Sequence, residues 1–73
     1  MTFDEIKKDL MEKPNFRSDI MGEISVGNEW LMLSMIQGNQ DARVAFEKLF
    51  DDLWDEWTWA AICHNEYDAP EDA

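Results

Sequence analysis

Apolar residues recur along this chain at three- and four-residue intervals, in blocks set apart by Pro14, by Gly27-Asn28 and by Gly38-Asn39. That period is the signature of helices that bury one face. The first block, Phe3, Ile6, Leu10 and Met11, is preceded by Thr2-Phe3-Asp4-Glu5, the spacing of a capping box. Lys13 near its end suits the helix dipole, and Pro14 stops it. Asn15 is placed to cap a second helix carrying Phe16, Ile20, Met21 and Ile24, weakened by Gly22 and leaving at Val26-Gly27-Asn28. Asn28 then caps a third helix over 29–37, ended by Gly38. Trp30, Leu31, Met32, Leu33, Met35 and Ile36 make it apolar almost all round, which predicts burial on every side, either centrally or in a dimer. A buried strand over 31–36 is the competing reading, and the flanking Asn and Gly favour the helix.

A last and longest helix opens at Asn39 or Asp41 and runs to about His64. Phe46, Leu49, Phe50, Leu53, Trp54, Trp57, Ala60 and Ala61 form its apolar face, with Trp54 and Trp57 expected in the core. The pattern predicts an all-α fold, a small bundle of three or four short helices with a long acidic C-terminal helix. Residues 1–64 form one helical domain, and 65–73 a flexible acidic tail.

Composition narrows the partners. The 73 residues allow one small domain, and 45% hydrophobic content argues against wholesale disorder. A net charge of −11 repels nucleic acid and anionic membrane alike and favours basic partner proteins. The longest apolar cluster, 30–36, is too short to cross a bilayer. With one cysteine, Cys63, no internal disulfide forms. The expectation is a cytoplasmic protein of a bacterial host cell, with no membrane and no direct nucleic-acid contact.

Enzymatic chemistry finds little support. Zinc sites need three or four ligands, and Cys63 and His64 are the sole residues of their kinds. Asp51-Asp52-Leu53-Trp54-Asp55 has the DDxxD spacing with which isoprenoid synthases hold Mg²⁺. Such enzymes wall a deep cavity with many helices, which 73 residues do not build. No catalytic residue, metal or cofactor is expected.

The charge is unevenly placed. Residues 49–73 carry eight carboxylates and no Lys or Arg, whereas Lys7, Lys8, Lys13, Arg17, Arg43 and Lys48 all lie earlier. On the last helix, Asp51/Asp55 and Asp52/Glu56 form two rows one turn apart, opposite the apolar face. Each like-charge pair costs a helix about 0.2–0.5 kcal/mol, and acids late in a helix oppose its dipole. Local rules broken without structural gain point to function. Trp59 and Ile62 project to the acidic side, where they either pack on another helix or, in the case of Trp59, form an anchor amid charge. The candidate partner-binding residues are Asp51, Asp52, Asp55, Glu56, Trp59, Glu66 and Asp68.

In this surface, carried by Phe46-Glu47-Lys48-Leu49-Phe50-Asp51-Asp52-Leu53-Trp54-Asp55-Glu56 and the acidic tail, the chain resembles the phage-encoded DNA-mimic inhibitors of anti-restriction and anti-CRISPR type. The resemblance is one of surface style over about a third of the chain, without a shared motif. It implies a non-enzymatic inhibitor that fills the basic groove of a host nuclease, restriction or CRISPR effector, repair enzyme or polymerase. The alternative is a helical homodimeric structural or adaptor module joined through Trp30, Leu33 and Ile36.

Overall fold

The computed structural model describes residues 1–71, so Asp72 and Ala73, the end of the expected tail, lie outside the described residues. It contains four helices and, among these residues, no strand. They are α1 (Phe3–Glu12), α2 (Phe16–Gly27), α3 (Glu29–Ile36) and α4 (Gln40–Cys63). The all-α expectation holds, and the strand reading of 31–36 does not.

Each boundary has a chemical cause. The Thr2 hydroxyl accepts the Glu5 amide at 3.2 Å, and the Glu5 carboxylate accepts the Thr2 amide at 2.8 Å, completing the capping box. Donation by the Thr2 backbone holds the Glu5 carboxyl below its ordinary pKa. Asn39 caps α4 by accepting the Ala42 amide at 3.1 Å. Asn15 and Asn28 behave differently from the expected caps. Asn15 turns the chain in the left-handed region at φ 72°, with no side-chain cap. Asn28 donates its amide back to the Ile24 carbonyl at 2.9 Å. Two helices end in Schellman motifs. After α3, Asn39 N–H reaches Ser34 O and Gly38 N–H reaches Met35 O, with Gly38 at φ 88°. After α4, Glu66 N–H reaches Ala61 O and Asn65 N–H reaches Ile62 O, with Asn65 left-handed at φ 62°.

α4 is the spine. Its 24 residues span about 36 Å at 1.5 Å per residue, and α1, α2 and α3 all pack against it. The molecule is therefore long and thin, 41 × 20 × 18 Å, with a radius of gyration of 14.0 Å. A compact chain of this length would have about 11 Å. The core is correspondingly narrow: Ile6 and Leu10 of α1 close on Ala61, while Ile20 and Ile24 of α2 are fully buried.

The tryptophans do not fill that core. Trp54 and Trp57 are half-buried, and α4 is sealed instead at Thr58 and Ala61. Thr58, wholly buried, donates its hydroxyl to the Trp54 carbonyl at 2.6 Å, so no polar atom of its side chain is stranded. The indoles lie at the margins, Trp57 edge-on to Phe16 at 5.9 Å and Trp54 donating to the Lys7 carbonyl at 3.0 Å.

α3 departs most from expectation. None of its residues is buried. Leu31, Met32 and Met35 are half-covered, whereas Trp30 is 82% and Ile36 78% exposed. A single layer of short helices on α4 has nothing left to cover the outer side of α3, so central burial is excluded.

Candidate functional site

The four carboxylates of α4 divide into two kinds. Asp51, Asp52 and Glu56 are exposed, and no ion pair neutralises them among the described residues. Asp55 turns toward α1, where its Oδ1 is shut off from solvent and lies 2.5 Å from the Lys7 ammonium. This is a contact ion pair rather than an aligned hydrogen bond. The same ammonium sits over the Trp54 ring, 4.5 Å from its centroid. Asp55 thus contributes to the α1–α4 junction through Oδ1, while its side chain stays 51% exposed on the row it shares with Asp51. Helical geometry explains the split, since successive residues turn by about 100° and only one of two adjacent rows stays clear of the neighbouring helix.

Asp51 is set apart again. It lines a groove of 730 Å³ floored by Met21, Met35, Phe46, Phe50 and Trp54, with Arg17 and Arg43 also on its walls. Arg43 is held in part by Glu47 at 3.6 Å. Asp52 and Glu56 remain as the free outward row, about 6 Å apart along the helix axis.

Trp59 packs on another helix, the first of its two readings, and keeps one side open. One face stacks on Phe3 of α1, centroids 4.6 Å apart and planes 24° from parallel, while the residue stays 45% exposed. It lies three residues beyond Glu56, so its open side stands beside exposed carboxylates. Ile62 packs against the core instead.

The segment after α4 is tied down through residue 71. Tyr67 donates its hydroxyl to Asp9, Pro70 is buried, and Glu71 binds the Met1 amino group at 3.3 Å. Glu66 and Asp68 are exposed at this end. With Asp9 accepting from Tyr67, Lys13 makes no ion pair with it among the described residues and lies 5.1 Å from the Tyr67 ring centroid. Burial first, and donation to Asp9 second, push the Tyr67 hydroxyl above its ordinary pKa against the opposing pull of Lys13. Its hydrogen bond to Tyr67 raises Lys13 in turn.

The DDxxD residues do not converge. Asp51 faces the groove and Asp55 faces Lys7, and among the described residues no three His, Cys, Asp or Glu gather where an ion would sit. Cys63 and His64 are exposed at the end of α4. Among the described residues, no helix is long and apolar enough to cross a membrane.

The apolar outer face of α3 was foreshadowed by its all-round hydrophobicity, although that pattern alone did not say which side is open. The groove beside α4 had no sequence signal, because its lining is drawn from four separate helices. No protein-family profile, curated protein or solved structure matches the chain, and its own geometry carries the functional reading.

Proposed function

We propose that this protein is a non-enzymatic acidic inhibitor that occupies the basic groove of a bacterial nucleic-acid-binding protein, presenting α4 in place of a phosphate backbone. The observation that carries the reading is that Asp51, Asp52 and Glu56 stand exposed on one continuous helix and outside any ion pair among the described residues, with half-exposed Trp59 directly beyond. A helix of 24 residues holds these charges at fixed separations, so a partner does not bear the entropy of ordering them. The row spacing of about 6 Å compares with about 3.4 Å per phosphate along a DNA strand, close to two nucleotides. Glu66 and Asp68 extend the field at the anchored end of the chain. In this reading Trp59 is the desolvated anchor, and the carboxylates govern encounter rate and salt dependence.

The test uses the tagged protein to capture partners from nuclease-treated bacterial lysate, eluting with increasing salt. The affinity of the captured protein is then measured for the wild type, for Asp52→Lys combined with Glu56→Lys, and for Asp55→Asn. The double reversal weakens binding about tenfold or more and flattens its salt dependence. Asp55→Asn leaves binding near the wild-type value and lowers stability by about 1 kcal/mol or less, as for a half-exposed pair. Unchanged affinity on double reversal would sink the proposal.

A further inference from the structure

We infer that the outer face of α3 is a seam for a second copy of this chain, packed antiparallel about a two-fold axis through Leu33. The inference is independent of the acidic face and goes beyond it.

Trp30, Leu33 and Ile36 lie three residues apart on the side of α3 turned away from α4, at 82%, 47% and 78% exposure. Val26, at the end of α2, adds a fourth apolar side chain at 80% exposure. Leaving these in water forfeits hydrophobic stabilisation that a chain with so narrow a core lacks elsewhere. Together they present on the order of 500 Å² per copy, or about 1,000 Å² in a symmetric pair, the lower bound for a specific interface.

Two features select a second copy over another apolar partner. The first is the positions themselves. A two-fold through Leu33 sets Leu33 against Leu33, and Trp30 of each copy against Ile36 of the other, so the face is its own complement. The same axis sets Glu29 opposite Gln37 of the second copy, whose amide N–H groups suit a carboxylate. The second is charge. With a net charge of −11, two copies repel over most of their surface, but residues 30–40 contain no charged side chain. The longest contiguous apolar cluster and the longest uncharged stretch coincide, and two copies meet there without bringing carboxylates together.

Sedimentation equilibrium and a designed cross-link test this. The wild type sediments at twice its 8.6 kDa chain mass. Leu33→Glu, which sets two carboxylates against each other on the axis, weakens association about 100-fold or more while far-ultraviolet circular dichroism keeps its helical amplitude. Leu33→Cys in a Cys63→Ser background links two chains by a disulfide under mild oxidation, because only a residue on the axis brings its own Cβ within reach of its mate. A wild type that stays monomeric at about 1 mM would overturn the inference. So would a dimer that survives Leu33→Glu, or a Leu33→Cys variant that fails to cross-link.

Discussion

Tyr67 is the sole tyrosine of the chain, and its hydroxyl fixes the segment after α4 to Asp9 of α1. Because its pKa is raised on folding, the folded state holds the phenolic proton over a window in which the unfolded chain has begun to release it. The associated stability is present below the unfolded value of about 10 and is lost as pH rises through the raised, folded value. Lys13, raised chiefly by the same tyrosine, acts in the same direction. The ultraviolet absorbance of tyrosinate should therefore rise with a midpoint above 10.0, and Tyr67→Phe should reduce the alkaline loss of thermal stability. An unshifted midpoint would mean that the burial of Tyr67 and its contact with Asp9 do not persist in solution. None of this was legible in the sequence, where Tyr67 sat in an acidic stretch without apolar periodicity. The long-range partner Asp9, 58 positions away, exists only once α4 has returned the chain to α1.

At the scale of elements, the helix ends were the most legible part of the chain, since capping is local chemistry within three or four residues. Thr2, Pro14, Gly38 and Asn39 act where the sequence placed them. Asn15 and Asn28 mark the right places by another route, one through a left-handed backbone and one by bonding backward, alternatives open to any asparagine. Asn39→Ala removes the side-chain acceptor for the Ala42 amide and should cost about 0.5–2 kcal/mol in denaturant unfolding. Gly38 precedes it in the same turn at φ 88°, so α3 and α4 are joined through a geometry that β-branched residues strongly disfavour. A cost near zero for Asn39→Ala would show that solvent caps α4 equally well.

The whole molecule is a spine with one layer of helices on it, and that accounts for both its narrow core and its surfaces. Ile20 and Ile24 are fully buried in a core with few other members. Ile20→Ala should cost about 2–5 kcal/mol, a large share of the stability of any domain this small. Chemical denaturation of the variant, at fixed protein concentration so that association does not confuse the comparison, gives the figure. A symmetric pair of the kind inferred would cover α3 and double the acidic surface that α4 presents. The amino-acid sequence by itself determined the helices, their ends, and the excess of carboxylates over cations after Lys48, because these depend on neighbours within a turn or on counting charges. The tertiary structure alone decided which carboxylates remain free. Asp55 and Asp52 are equivalent in the pattern, but α1 crosses beside one and brings Lys7 to it, while the other faces water. It also decided which side of α3 lies open, since an all-round apolar helix has no preferred face until its neighbours run out.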